Sequence, residues 1–205
     1  MNSLDNYMQA LDRLFEQRLI DAVPSLLTVK SGEIIFHAEE PAPTIFGVQT
    51  GKIQLVRYLE NGYMSHQYAV HSGAWFGEDG LFKPVYQNSA IATQPSQIIA
   101  IPTQTFLTLL QHEPELSLTF VGQLTEQLHI AKTLMTLRCI RSAYDRVLAY
   151  LNTVTAVSKR TIVLDCSLKE IAEQICLAPE VVSRSLRKLQ DNGVIRRNQR
   201  KITFL

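Results

Sequence analysis

Five polar side chains near the C-terminal end of the chain recur at the spacing of one helix face. They are Glu180, Ser183, Arg184, Arg187 and Lys188, and we call them the recognition face. Residues three and four positions apart are neighbours on a helix surface, so this set would lie on one side of a helix. Arginine suits guanine O6 and N7, and glutamate accepts from the cytosine amino group. These residue types can therefore read base edges, and they include no nucleophile–base pair.

The elements that must position this face are two short amphipathic helices joined by a tight turn. Ser167 and Glu170 match the capping box, in which a hydroxyl and a carboxylate bond the unpaired N–H groups at a helix start. Pro179 fits the first turn of the second helix, and Gly193 fits its end. The buried stripes would consist of Leu168, Ile171, Ala172 and Ile175, followed by Val182, Leu186 and Leu189. The pattern predicts a helix-turn-helix; ordinary packing of two helices is the alternative.

The distribution of charge favours a polyanionic partner. Residues 141–205 contain twelve Lys and Arg residues against six Asp and Glu residues, a net charge of +6. Residues 1–140 contain eight against thirteen, a net charge of −5. A basic end suits phosphate contact, and the acidic remainder argues against indiscriminate binding to polyanions. We assign further DNA contacts to Ser167, Lys169, Arg196, Arg197, Arg200 and Lys201.

The last four of these residues lie in a basic run between two short apolar segments, like the hairpin of a winged helix. Arg160–Leu164 predicts a further strand before the helix-turn-helix. The alternative for the basic run is a charge cluster that is merely solvated.

Length and composition predict an ordinary globular protein. The 205 residues suit one large or two small domains. No apolar run approaches the roughly 18–20 residues of a membrane span, and the N-terminus lacks the features of a signal peptide. Three widely spaced cysteines, Cys139, Cys166 and Cys176, fit reduced thiols better than a disulfide framework. We therefore expect a cytoplasmic protein without membrane association.

Two further regions precede the basic end. From about Val29 to Ile101 short β-rich runs alternate with turn residues, which predicts a sandwich or barrel. The predicted strands cover 32–36, 44–48, 51–58, 65–70 and 97–101, and residues near 4–20 predict a helix outside the sheets. We place this domain at 1–112.

A long helix is predicted between Pro114 and Arg138. Along it Val121, Leu124, Leu128, Ala131 and Met135 step by three and four residues, as in a heptad seam. We interpret residues 113–138 as a dimerisation helix and residues 139–205 as the DNA-binding domain. The alternative is a helix that covers the sheet of its own domain.

Several of these motifs together resemble the CRP/FNR family, which comprises the cyclic-AMP receptor protein, the fumarate–nitrate regulator and their relatives. The resemblance covers nearly the whole chain and is carried by Lys30-Ser-Gly-Glu-Ile-Ile-Phe36, Gly51-Lys-Ile-Gln-Leu55, Ser72-Gly-Ala-Trp-Phe-Gly-Glu78 and Glu180-Val-Val-Ser-Arg184. It implies an α+β fold: an N-terminal double-stranded β-helix sensor domain similar to cyclic-nucleotide-binding domains, a dimerisation helix and a C-terminal winged helix-turn-helix. It also implies a homodimeric transcription regulator that binds a palindromic site in double-stranded DNA. We further expect RNA polymerase as a partner.

The resemblance also maps the family's effector pocket onto this chain, with departures. Gly77 and Glu78 match the family's Gly-Glu pair, whose carboxylate meets a ribose hydroxyl. The family's phosphate-binding Arg-Ser pair appears as Asn88-Ser89, and its adenine-reading Thr-Ser pair as Ala131-Lys132. A cyclic phosphate without its guanidinium loses a charge-assisted contact. We therefore expect that cyclic AMP is not the effector, and Gly77-Glu78 could be structural.

Other effectors and functions stay open at this point. An iron–sulfur cluster is not expected, because it needs about four thiolates and residues 1–138 contain no cysteine. Cys139, between Arg138 and Arg141, could be redox-active or an ordinary thiol. Haem could be held by one of the histidines His37, His66, His71, His112 or His129, although no set has metal-ligand spacing. We identify no cofactor, metal site or catalytic residue, and we do not expect an enzyme. The competing classes are a cupin-like enzyme on the same β scaffold and a protein-binding regulatory module.

Overall fold

The computed structural model describes residues 3–17, 19, 24–58, 64–155, 160–164 and 166–205. Two compact units make up the chain, the first ending at Leu124 and the second beginning at Thr125. The division falls inside one long helix, whereas the sequence analysis treats that helix as a segment of its own. No helix within the described ranges combines the length and the apolar character that crossing a membrane requires.

The first unit contains two four-stranded antiparallel sheets, with strand orders β1-β8-β3-β6 and β2-β7-β4-β5. Its elements are α1 (Ser3–Glu16), β1 (Ser25–Val29), β2 (Ile34–Phe36), β3 (Thr44–Thr50), β4 (Lys52–Tyr58), β5 (Met64–His71), β6 (Trp75–Phe76), a 3₁₀ helix (Glu78–Leu81), β7 (Ser89–Ala92), β8 (Ser96–Pro102) and α2 (Thr103–His112). The predicted β sensor fold is confirmed. The short strands β1, β6 and β7 were missed because their pairing, more than their composition, makes them strands.

One core lies between the two sheets and is rich in aromatic rings. Phe36 stacks on Tyr86 with ring centroids 3.7 Å apart, and Phe46 stacks on Phe76 at 5.2 Å. The other face of the first sheet carries Ile45, Ile99 and Ile101, which belong to a second core. Strands β3 and β8 are therefore buried on both faces, which explains why they read as continuous apolar runs in the sequence.

The second core of this unit lies under α1 and α2, so the predicted position of the N-terminal helix is confirmed. The Tyr7 ring on α1 meets the Trp75 ring edge-on at 5.0 Å and stacks on Phe106 at 6.1 Å. Gly47 permits this packing, because a Cβ there would lie 3.0 Å from atoms of both Leu4 and Trp75. This core reaches Leu116 and Phe120, the first buried residues of the next helix.

That helix, α3 (Pro114–Arg138), has the predicted bounds. Of the five predicted seam residues, Leu124 is partly buried against the core of the first unit. The other four, Val121, Leu128, Ala131 and Met135, are exposed, so the dimer seam stays a prediction.

The second unit is a winged helix-turn-helix around one core. It contains α4 (Ala143–Val154), β9 (Thr161–Val163), α5 (Leu168–Gln174), α6 (Pro179–Asp191), β10 (Ile195–Asn198) and β11 (Lys201–Phe204). The sheet order is β10-β11-β9. The core joins Val147 of α4 and Ile171 of α5 to Val182 and Leu186 of α6 and to Ile202 of the hairpin. The predicted strand within 160–164 and the predicted wing are both present.

Candidate nucleic-acid interface

The first helix of the motif, α5, begins as the sequence predicts. The Ser167 hydroxyl accepts from the Glu170 N–H at 3.2 Å, and the Glu170 carboxylate accepts from the Ser167 N–H at 2.6 Å. The Ser167 side chain is therefore already engaged in the cap and is partly buried. Lys169, in the first turn of α5, is exposed.

The second helix, α6, separates its two faces cleanly. Pro179 occupies the first turn, and Val182, Ser185, Leu186 and Leu189 are buried. All five residues of the recognition face are exposed on the same helix. The helix ends before Gly193, whose φ of 70° lies in the left-handed region that glycine tolerates. The structure thus brings the five predicted side chains together on one surface.

One member of the recognition face, Lys188, makes a cation–π contact within the protein that the sequence pattern does not predict. The Lys188 Nζ lies 5.5 Å from the centre of the Tyr144 ring on α4. The hydroxyl of that tyrosine accepts from Asn192 Nδ2 at 3.2 Å. A cation over an exposed ring gains roughly 0.5–1 kcal/mol. Among the described residues, Arg184 and Arg187 lie over no aromatic ring, so this contact distinguishes Lys188 from them.

The wing carries the basic run on its strands more than on its turn. Arg196 and Arg197 lie on β10, Lys201 opens β11, and only Arg200 belongs to the tight turn. Successive strand residues point to opposite faces, so Arg196 and Arg197 do not share one surface. Arg196 is exposed, whereas Arg197 is partly buried and its Nε donates to the Gln199 carbonyl at 3.1 Å. The predicted basic cluster is therefore split between two faces.

Among the predicted effector-pocket residues of the first unit, Glu78 and Ser89 make hydrogen bonds within the protein. Gly77 adopts a φ of 79° and precedes the 3₁₀ helix that begins with Glu78. The Tyr68 hydroxyl donates to Glu78 Oε1 at 2.7 Å, and Glu78 Oε2 finds no hydrogen-bond partner among the described residues. Burial raises the pKa of Glu78, and the Tyr68 hydrogen bond lowers it in part. Burial, with the neighbouring Glu78 charge, raises the pKa of Tyr68 as well.

Tyr68 is a pocket residue that the sequence motifs did not predict. A signal for it exists, because Tyr68 lies two positions before the buried Val70 on β5 and therefore on the same strand face. Its hydroxyl bonds the carboxylate that the resemblance predicts as part of the effector pocket.

The remaining pocket residues are placed as follows. Ser89 is buried and its hydroxyl accepts from the Ala38 N–H at 2.9 Å. Asn88 is half-buried beside Gln87, whose N–H donates to Asp79 Oδ2 at 3.2 Å and so joins this segment to the 3₁₀ helix. Ala131 and Lys132 are exposed on the part of α3 that belongs to the second unit.

Most of the described histidine and cysteine side chains are exposed. His37, His71, His112 and His129 are exposed. The His66 side chain lies outside the described part of the chain. Cys139 and Cys176 are exposed, and Cys166 is partly buried. Within the described ranges, no three His, Cys, Asp or Glu side chains approach closely enough to hold a metal ion.

Comparisons with known proteins match both units. A model of the cyclic nucleotide-binding domain matches residues 26–113, and a model of the Crp-like helix-turn-helix domain matches residues 130–205. The transcriptional regulatory protein btr of Bordetella pertussis is 23% identical, over 98% of this chain and 82% of that protein. The transcriptional activator protein anr of Pseudomonas aeruginosa is 23% identical, over 86% of this chain and 75% of that protein. The solved structure of FixK2 from Bradyrhizobium japonicum superposes with a TM-score of 0.70 at 21% identity, over 89% of this chain and 93% of that one.

Proposed function

The chain belongs to the CRP/FNR family of DNA-binding transcription regulators, and from this premise we propose that it binds an inverted-repeat operator as a homodimer. The observation that carries the proposal is the recognition face, exposed along α6 opposite a buried apolar stripe. A helix with this division can lie in the major groove while its apolar side stays in the protein core. The relatives named above are transcription regulators rather than enzymes.

The dimer is supported by the exposed apolar face of α3. Val121, Leu128 and Met135 lie seven residues apart and are 55%, 54% and 64% exposed. Large apolar side chains that recur on one exposed face mark an interaction surface. A heptad repeat is the pattern that pairs two identical helices. A second copy of the same helix is therefore the occupant that this face fits.

The bases that α6 reads follow from its side chains and from the family pattern. Glu180, Ser183 and Arg184 match the E-x-x-S-R pattern of FNR-like members, and by that resemblance each half-site contains a TTGA-like core. In a two-fold dimer the half-site centres lie about 34–36 Å apart, one turn of DNA. Arg184 is the residue that we assign to the guanine, through O6 and N7.

An unbiased selection tests this proposal. The full-length protein is incubated with a library of random duplexes, and the bound sequences are amplified and read. We expect inverted repeats, each half containing a G·C pair. The control is the Arg184→Ala variant in the same selection, which should still enrich inverted repeats but lose the preference at that pair. Enrichment of sequences without two-fold symmetry would contradict the dimer. A G·C preference that survives in the variant would contradict the assignment of Arg184.

The proposal includes where the protein acts and which enzyme it affects. We expect the protein to act in the cytoplasm and to affect transcription by RNA polymerase bound near the operator. Transcription by purified RNA polymerase from a template that carries the selected operator tests this, with a template carrying a scrambled site as the control. Equal transcription from both templates, with and without the protein, would contradict the partnership.

A further inference from the structure

The guanidinium of Arg146 holds backbone carbonyls from two distant segments of the second unit. Arg146 lies on α4 and is partly buried. Its Nε and Nη2 donate to the Ile140 carbonyl at 2.9 and 2.5 Å. Its Nη1 donates to the Ile175 carbonyl at 3.0 Å and to the Cys176 carbonyl at 3.2 Å. One side chain therefore connects the segment just after α3 to the turn of the helix-turn-helix.

A second guanidinium acts on the same turn. Arg138, the last residue of α3, donates from Nε to the Gln174 carbonyl at 3.1 Å. The last carbonyls of a helix have no intrahelical partner and need one from elsewhere. At the end of α5 three successive carbonyls, those of Gln174, Ile175 and Cys176, accept from these two arginines. The C-terminal end of α5 is thus fixed by side chains from α3 and α4.

The turn that these bonds fix has an unfavourable backbone. Cys176 adopts a φ of 51°, in the left-handed region that residues with a Cβ avoid. Such a conformation persists only where the surrounding structure over-determines it. The Leu177 N–H donates to the Ala172 carbonyl at 2.8 Å, and α6 begins at Pro179. The backbone at Cys176 therefore sets the direction in which α6 leaves the turn.

We propose that Arg146 is a positioning residue for DNA recognition: it holds the strained turn at Cys176 and thereby the orientation of α6. The proposal rests on the assignment of α6 as the recognition helix. Arginine is needed because its planar fork carries five N–H donors and can serve three carbonyls at once. A lysine keeps the charge but presents a single ammonium group. Since Ile140 follows α3 by two residues, the same guanidinium also connects the end of α3 to this turn.

The first test compares Arg146→Lys and Arg146→Gln with Arg141→Gln. Arg141 is exposed in the segment between α3 and α4. Its replacement by glutamine removes the same charge but leaves the hydrogen bonds of Arg146 in place. Fluorescence anisotropy of labelled duplexes measures the Kd of each full-length protein for the operator selected by the wild type and for a scrambled duplex. The titrations are repeated at several salt concentrations and below the unfolding temperature of every variant.

We expect both Arg146 variants to lose about tenfold or more in operator affinity. This is comparable to the cost of one mismatched base pair in the operator. For the scrambled duplex, the affinity and salt dependence of Arg146→Gln should match those of Arg141→Gln, and those of Arg146→Lys, which keeps the charge, should match those of the wild type. Equal weakening on both duplexes with a flatter salt dependence would mean a phosphate contact and would overturn the proposal. A lower unfolding temperature with wild-type operator affinity would mean a purely stabilising residue and would also overturn it.

Rescue of the turn supplies the second test. Glycine adopts positive φ readily, whereas alanine is penalised there. Cys176→Gly added to Arg146→Gln should restore part of the operator affinity, and Cys176→Ala in the same background should restore none. Equal effects of the two substitutions would refute the link between Arg146 and the strained backbone.

A measurement without DNA separates this proposal from the proposed function. Hydrogen exchange at the Leu177 amide should accelerate in Arg146→Gln and stay at the wild-type rate in Arg141→Gln. Unchanged exchange in both variants would overturn the positioning role even if the operator assignment holds. If the wild type selects no inverted repeat, the proposed function fails, and the exchange result still decides whether Arg146 holds the turn.

Discussion

At the scale of single residues, the predicted contact residues differ in what already holds them. Arg184 and Arg187 are exposed on α6, whereas Lys188 lies over Tyr144 and the Ser167 hydroxyl caps α5. A side chain with an internal partner must exchange that partner for DNA, which reduces its net contribution to binding. The exposed arginines are therefore the residues whose loss should change recognition most.

The first residue-scale prediction concerns Arg184. Its replacement by alanine should cost about 1–3 kcal/mol of operator binding and relax the preference at one G·C pair. Lys201→Ala is the matched control, because it removes one exposed positive charge of the wing. If Lys201 contacts phosphate, its loss weakens all sequences alike and flattens the salt dependence. Competition titrations with single-base variants of the operator measure both, and an Arg184→Ala effect that is uniform over all bases would contradict the prediction.

The second residue-scale prediction concerns Glu78. Burial raises its pKa above the usual 4.5, so the folded chain holds the proton more tightly than the unfolded chain does. The stability that this carboxyl contributes is present below pH 4.5 and is lost as the pH rises through the raised pKa. Glu78→Gln should therefore reduce the fall of the unfolding free energy with pH in that window. The glutamine oxygen can still accept from Tyr68.

Urea unfolding at a series of pH values measures this effect. The control is Glu16→Gln, which removes an exposed carboxylate at the end of α1. A pH dependence in Glu78→Gln equal to that of the wild type would show that Glu78 titrates as an exposed glutamate.

At the scale of elements, α3 has some apolar residues in a core and others exposed. Its first half contributes Leu116, Phe120 and Leu124 to the core of the first unit, while Val121, Leu128 and Met135 remain exposed. Successive side chains of an α-helix point about 100° apart, so buried and exposed apolar residues can alternate along one helix. Its second half contributes Leu137 to the core of the second unit, so the packing within the two units explains the apolar content of α3 only in part.

The element-scale prediction is that Leu128→Glu and Met135→Glu separate the dimer without unfolding the chain. An unpaired charge buried at a helix interface costs about 3–5 kcal/mol. Leu124 is a poor choice for this test, because its replacement would also disturb the core of the first unit. Light scattering should give the mass of a dimer for the wild type and of a monomer for the variants, with weaker operator binding. Phe82→Glu, at a side chain that is 87% exposed in the first unit, is the control and should stay dimeric. Variants of α3 that keep the dimer mass would place the interface elsewhere.

At the scale of the whole molecule, the two units carry different chemistry. The C-terminal part is basic and bears the recognition face, and the N-terminal part is acidic and bears a β fold of the cyclic-nucleotide-binding type. In the latter, the carboxylate of Glu78 accepts from Tyr68. By the resemblance to the family, Asn88 is predicted to stand where cyclic-nucleotide-binding members have their phosphate-binding arginine. A cyclic nucleotide would have to displace the tyrosine hydroxyl and would find no guanidinium from position 88.

The whole-molecule prediction is that cyclic AMP neither binds the protein nor alters its operator affinity. Isothermal titration at millimolar nucleotide should give no saturable heat, and anisotropy titrations with and without the nucleotide should coincide. The same titrations are run on Tyr68→Phe, which removes the hydroxyl that donates to Glu78. Saturable binding by the wild type would contradict the prediction. Binding by the variant alone would show that Tyr68 is what closes the site.

The sequence by itself determined the elements that depend on neighbouring residues. The capping box at Ser167 and Glu170, the prolyl start of α6 at Pro179 and its glycine stop at Gly193 all act within a few residues. For this reason the helix-turn-helix and its recognition face were predictable, and the family motifs added the β sensor fold. Local signals of this kind agree with the native structure because natural sequences are locally consistent.

Only the tertiary structure decided the contacts between residues that are distant along the chain. Tyr68 reaches Glu78 between a strand and a 3₁₀ helix, and Arg146 reaches carbonyls 29 and 30 residues away. Leu124 packs against a core that includes residues of α1, α2 and the first sheet. Spacing along one element does not encode such partners, because they depend on how separate elements pack. The sequence therefore predicts which surface reads DNA, and only the tertiary structure decided which side chain meets Glu78 and which arginines bond the carbonyls at the end of α5.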